Sequence, residues 1–184
     1  MHYSTFLLAL PLLTTALPSL PLQERATDLG PEVRAQIDVL NSSVIQLTSA
    51  VNAFDGTLLG WIPQSLAVVS ASVKLDGTIV KTTQLAQASS NFTEAGSSSI
   101  VTTLASLVTP IGGSLDALVA KYPLFKKRLE APIVLLNLKI LKTHTGDLVE
   151  ALGGKVTANW APYLTLGRGV LDAAFDKAIA VYSA

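Results

Sequence analysis

The sequence predicts an all-α protein, an elongated antiparallel five-helix bundle, and three observations carry that reading. Apolar residues recur at steps of three and four along most of the chain, which places them on one face of a helix. No segment alternates apolar and polar residues as a half-buried strand does. Proline and glycine fall mainly where one stripe ends and the next begins.

The first helix is the clearest. Val33, Ile37, Leu40, Val44, Leu47, Val51 and Phe54 step by four and three without a miss. Pro31 suits its start and Asp55-Gly56 its stop. A second helix, about Pro63 to Ser89, follows the rule more weakly through Ile62, Leu66, Val69, Val73 and Val80. Gly77 is expected to bend or divide it. Ile100, Leu104, Leu107, Ile111, Leu118 and Tyr122 mark a third helix. Pro110 with Gly112-Gly113 should kink it, because proline removes a hydrogen bond and clashes with the preceding turn. Val134, Leu138, Leu141, Leu148 and Leu152 mark a fourth, begun near Pro132 and ended by Gly153-Gly154. Leu164, Leu171, Phe175, Ala178 and Tyr182 mark the fifth, with Gly167 and Gly169 as soft spots.

The ends bound the domain. Phe6 to Leu13 is a short apolar run followed by the small residues Thr14-Thr15-Ala16. It is too short to cross a bilayer of about 30 Å and reads as a secretory signal cut after Ala16, with Ala26 as the lesser site. Residues 17–30, with three prolines in or just after them, form an extended lead-in. Residues 31–184 are then one helical domain. The apolar run Pro132 to Leu141 is broken by Asn137 and Lys139, and the C-terminus lacks the apolar tail of a lipid anchor. The expectation is a soluble protein outside the cell.

Composition narrows the function. The chain has no cysteine and only two histidines, one of them (His2) in the signal, yet 49% of its residues are hydrophobic. Stability must come from packing rather than disulfides. Net charge is zero, 13 basic against 13 acidic residues, which speaks against nucleic acid as a partner. His144 has Asp147 three residues on, but no Gly-x-Ser-x-Gly elbow supplies a nucleophile. Asp172 and Asp176 lie one turn apart beside Arg168 and Lys177, as a solvated face does. A zinc site needs three or four ligands, usually His or Cys. No catalytic residue, metal site or cofactor is assigned. Asn41-Ser-Ser and Asn91-Phe-Thr are glycosylation sequons, and Asn91 with Glu94 also suits a helix cap.

Four segments carry a family resemblance: Lys121-Tyr-Pro-Leu-Phe-Lys-Lys127, Pro132-Ile-Val-Leu-Leu-Asn-Leu138, Leu148-Val-Glu-Ala-Leu-Gly-Gly-Lys-Val156 and Val170-Leu-Asp-Ala-Ala-Phe-Asp-Lys-Ala-Ile179. In order and spacing they resemble the fungal hydrophobic surface-binding protein A and cell-wall galactomannoprotein family. The resemblance covers nearly the whole mature chain and is sharpest from Ile100 onward. It implies a secreted all-α bundle that adsorbs to hydrophobic surfaces or resides in the cell wall, in some members around an apolar cavity for fatty acids. The Ser/Thr-rich tail of the larger galactomannoproteins is missing here.

The expected function is therefore binding without catalysis, of fatty acids or other long-chain lipids and of hydrophobic surfaces. The candidate lining is Leu104, Leu107, Ile111, Leu118, Leu138, Leu141, Leu148, Leu171 and Phe175, with Gly167, Ala174 and Ala178 as the small residues that open a gap. A chain of about 16 carbons buried at about 0.8 kcal/mol per methylene gives roughly 12 kcal/mol gross, enough to outweigh an immobilisation cost of about 4 kcal/mol or more. Lys126 and Lys127, in a basic cluster with Lys121 and Arg128, are candidates for a carboxylate head or for the C-terminal dipole of the third helix. The alternative is a structural wall mannoprotein with a closed core. A closed core and an open slot require the same stripes.

Overall fold

A computed structural model describes residues 27–57 and 60–184. The expected signal segment and most of the expected lead-in lie outside the described residues. Five helices follow in order: α1 (Gly30–Ala53), α2 (Trp61–Ala88), α3 (Glu94–Lys127), α4 (Ala131–Gly153) and α5 (Ala161–Ser183). No strand occurs among the described residues. At 34 residues, α3 is about 51 Å long. An 18-residue window within it has mean hydropathy 1.4, long and apolar enough to cross a membrane by those measures alone.

The helices close into a ring. α1 packs on α2 and α3, α5 on α3 and α4, and α4 on α2, while α3 and α4 meet only slightly across the middle. Consecutive helices run antiparallel. The odd number forces parallel neighbours as well, since five directions cannot alternate around a closed ring. Thus α2 and α4 run side by side in one direction, tied by Ser65 to Glu130 at one level and Asp76 to His144 at another. α1 and α3 run together in the other.

All seven apolar residues of the α1 stripe are buried, Phe54 just past the helix end. The α5 stripe is buried in full as well. α2 departs from expectation. Ile62, Leu66 and Val73 are exposed, and Val69 and Val80 half-buried. The buried face is instead Val68, Ser72, Leu75, Ile79, Thr82 and Ala86, with Thr78 and Thr83 beside it. The hydroxyls make this possible. Thr78, Thr82 and Thr83 each donate to the carbonyl four residues back, so buried oxygens are satisfied within their own helix. α2 is also continuous through Gly77 rather than divided there. α3 likewise passes through Pro110 and Pro123 as one helix. Its cap is Thr93, not Asn91: the Thr93 hydroxyl accepts from the Gly96 N–H at 3.1 Å.

Both ends of the ring are closed. At one, Phe54 stacks on Phe125 with centroids 4.3 Å apart, and Tyr182 and Tyr122 extend the cluster. Lys121 donates to the Phe54 carbonyl at 2.7 Å and Arg128 to that of Gly56 at 3.0 Å, fastening the α1–α2 connection to the end of α3. α3 ends in a Schellman arrangement: Glu130 N–H bonds to Phe125 O, Leu129 N–H to Lys126 O, and Leu129 takes the left-handed φ of 62° usually given to glycine. At the other end Phe92 is buried and donates from its N–H to Lys155 O at 2.8 Å. There Glu94 accepts from Thr157 and Trp160, which hold its carboxyl below the usual carboxylate range.

Tyr182 gives the aromatic end a pH limit. Its hydroxyl donates to Leu118 O at 2.7 Å, and burial, then the neighbouring Tyr122, pushes its phenol well above the ordinary range. The folded state therefore resists ionisation that the unfolded chain accepts near pH 10. Stability should be full below about pH 10 and fall as pH rises beyond it. Thermal unfolding across that range should show this loss, and Tyr182→Phe should blunt it while costing about 1 kcal/mol at neutral pH.

Candidate functional site

Five rows of aliphatic side chains do not fill the ring, and two apolar voids remain along its axis. The larger has a volume of about 420 Å³ and takes side chains from all five helices. Leu40 and Val44 of α1 and Leu75 and Ile79 of α2 form one side of it, with α3, α4 and α5 supplying the rest. The smaller, about 250 Å³, lies nearer the aromatic end and is lined by α1 to α4.

Every sequence-predicted lining residue touches one of these voids. Leu104, Leu107, Ile111, Leu148, Leu171 and Phe175 line the larger. Leu118 and Leu138 line the smaller. Leu141 lines both. Of the three small residues, Gly167 borders the larger void, whereas Ala178 is fully buried in the core and Ala174 packs against it. A side chain added at Gly167 would meet nothing within 4 Å.

The larger void opens sideways. Ala105 and Thr109 on α3, and Tyr163, Leu166 and Val170 on α5, line it yet are exposed. Such residues mark a lateral mouth between two parallel helices. Leu166 (69% exposed) and Val170 (50% exposed) fall outside the buried α5 stripe. The signal for them was an apolar face wider than a core needs, centred on a helical glycine.

Polar groups at the larger void are few. Thr109, Thr145 and Tyr163 offer hydroxyls, and Arg168 is the one charged side chain among the described lining residues. Its guanidinium lies over Gly146, 3.1 Å from where a β-carbon there would sit, and 3.6 Å from the Asp172 carboxylate one turn on. Its spacing to Asp172 and Asp176 in the sequence gives no sign of this place at the void. Lys126 and Lys127 are exposed, line neither void, and Lys126 instead sits 5.2 Å above the Tyr122 ring. In the smaller void Glu130 is held by the Ser65 hydroxyl at 2.5 Å.

No arrangement of nucleophile and base emerges. His144 meets Asp76 of α2 at 2.6 Å rather than Asp147, and the pair ties two helices. Among the described residues no group of three or more His, Cys, Asp or Glu is placed to hold a metal ion. The arrangement is one for holding an aliphatic chain.

Comparison with known proteins agrees with this geometry. No curated protein sequence matches the chain. Among solved structures, Afmp4p in complex with palmitic acid is similar at 32% identity and a TM-score of 0.79, over 83% of this chain and 99% of that one. Ligand-binding domain 1 of the Penicillium marneffei MP1 protein, complexed with arachidonic acids, has 16% identity and a TM-score of 0.75, over 87% of this chain and 100% of that one. Domain 2 of the same protein, also with arachidonic acids, has 15% identity and a TM-score of 0.72, over 83% and 91% of the two chains. At those two identities the likeness speaks for the fold. The family profile for hydrophobic surface binding protein A matches residues 30–153, and the chain belongs to that family.

Proposed function

We propose that this protein is a secreted, non-enzymatic binder of fatty acids and hydrophobic surfaces, with the acyl chain lodged in the larger axial void. The observation that carries the reading is that void itself. It is apolar, about 420 Å³, within the roughly 300–1,000 Å³ of small-molecule sites. A sealed, dry void of that size would cost about 10 kcal/mol at roughly 24 cal/mol per Å³, so an aliphatic occupant stabilises the fold it enters. The lateral mouth lowers that figure by admitting water and supplies the way in. The palmitic acid bound by Afmp4p is an occupant of the right chemistry. Exposed Ile62, Leu66, Leu129 and Ile133, gathered where α2 and α4 begin, suit adsorption to an apolar surface.

Gly167 offers the sharpest test. Because Gly167 borders the void and a β-carbon there would meet nothing within 4 Å, Gly167→Phe should add bulk at the site with no clash at its β-carbon. Replacing a helical glycine also gains up to about 1 kcal/mol. The variant should lose binding of palmitate, followed by calorimetry or by displacement of a fluorescent fatty acid, while melting no lower than the ligand-free wild type. Palmitate affinity equal in the two proteins would place the ligand elsewhere.

On the α4 side of α5, Arg168 is the charged side chain at the larger void and the group to meet a carboxylate. It is 44% exposed and shares its charge with Asp172, so its contribution is modest. Arg168→Gln should weaken palmitate about fivefold and leave hexadecanol binding unchanged, whereas Lys126→Ala with Lys127→Ala should alter neither. Equal losses for acid and alcohol would show that Arg168 acts by packing alone.

Of the two sequons, Asn91 is exposed on the connection between α2 and α3. Asn41 lies within α1 with its amide oxygen buried and no hydrogen-bond partner. Protein recovered from a eukaryotic secretory host should carry its glycan at Asn91. Peptide mass spectrometry that finds glycan at Asn41 and none at Asn91 would reverse this assignment.

A further inference from the structure

The two voids are stacked end to end, and the residues around them show where they part. On α1, Leu47 lines the smaller void and Val44 the larger. On α2, Ser72 lines the smaller and Leu75 the larger; on α3, Leu118 and Ile111 divide in the same way. On α4, Leu138 belongs to the smaller and Leu148 to the larger, and Leu141 between them touches both. Among the described residues no other side chain does so. Leu141 is buried, 5% exposed, with Asn137 one turn before it at the smaller void and Thr145 one turn after it at the larger.

We propose that Leu141 is the end wall of the acyl site and sets the chain length that the larger void accepts. This rests on the acyl-binding reading above and adds a specificity-determining residue to it. Beyond the wall the smaller void continues as an aliphatic path past Leu138, Leu118 and Leu47 until Phe125, stacked on Phe54, closes it. Its acid, Glu130, is already bonded to Ser65. A methyl terminus that passed Leu141 would meet mainly aliphatic side chains, with Ser72 and Asn137 the polar residues near the wall. At about 250 Å³ the smaller void lies below the size of an independent ligand site; one isobutyl group parts it from the larger, and exposed Leu66 and Ile133 border it on the α2–α4 side.

The test is a series of saturated fatty acids of increasing length, titrated against wild type, Leu141→Ala, Leu141→Phe and Leu148→Ala, with helicity checked by circular dichroism. Each buried methylene raises affinity about fourfold, so wild-type affinity should climb with length and then level off where the tail reaches the wall. Leu141→Ala should level off at a longer chain. Leu141→Phe, whose ring has empty space on either side of it, should level off at a shorter one and reads the wall even if the alanine variant folds poorly. Leu148→Ala widens the larger void without lengthening it and should level off with wild type. One shared levelling length for both Leu141 variants and wild type overturns the proposal, as does affinity that climbs without limit because the tail leaves by the lateral mouth. Absence of binding at every length overturns the acyl reading, and this inference with it.

Discussion

Closing five helices into a ring sets the terms for everything else in this molecule. At an interaxial spacing of about 9 Å, five axes stand about 8 Å from the centre, against about 6 Å for four. A helix with its side chains reaches about 5–6 Å from its own axis. Four helices therefore fill their middle, and five leave a gap about as wide as a polymethylene chain. α3 and α4, which meet slightly across the ring, narrow that gap without filling it. Large residues such as Phe54, Phe92 and Phe125 are placed at the ends of the bundle, where they stop the axis rather than occupy it.

The same constraint explains the polar composition of α2. A helix whose inner face carried only leucine would press further into the axis. Ser72, Thr78, Thr82 and Thr83 are smaller, and their hydroxyls bond to their own helix at no cost to the neighbours. Ser43 does the same on α1, donating to Val39 O and reaching Thr78 at 3.4 Å, whereas Ser114 of α3 donates across to Val44 O of α1. Of these residues only Ser72 borders a void; the others sit where α1 meets its neighbours or within α2 itself. Arg168 and Glu130 border the voids, while exposed pairs such as Lys177 with Asp116 add little to stability.

Much of this was legible in the sequence, and the exceptions share a cause. The stripes of α1 and α5 name the buried residues one by one, because valine, leucine and isoleucine have few other reasons to recur at steps of three and four. α2 was read one face out of register: its exposed Ile62, Leu66 and Val73 are more apolar than its buried Ser72, Thr78 and Thr82. Hydrophobicity locates a buried face only when burial is the sole reason for an apolar residue, and a protein with exposed apolar patches breaks that condition. The nine predicted lining residues fall on the voids because such residues are the inner ends of stripes. Spacing shows that a side chain points inward, not whether the space before it is filled. Ring order, which decides that, depends on which helices pass beside one another and leaves no mark on any single helix. Arg168 was hidden for a related reason, since its place at the void is set by the bare Gly146 of another helix.

A chain without cysteine has to make its stability from packing, and this one leaves part of the packing undone. The two facts are compatible if the ligand counts as part of the core. An occupant that binds the folded state alone adds RT ln(1 + [L]/Kd) to its stability, about 2.7 kcal/mol at a hundredfold excess over Kd. That is a large share of the 5–15 kcal/mol by which domains of this kind are stable at all. Leu→Ala changes along the void remove contacts from both the protein and its occupant, so they should cost more when ligand is present than when it is absent. Changes at the closed ends, such as Phe125→Ala, touch no ligand in the larger void and should cost about 3–5 kcal/mol in either state. The division between void-lining and end-closing residues is therefore thermodynamic as well as spatial: one set is stabilised by what the protein carries, the other by the protein itself.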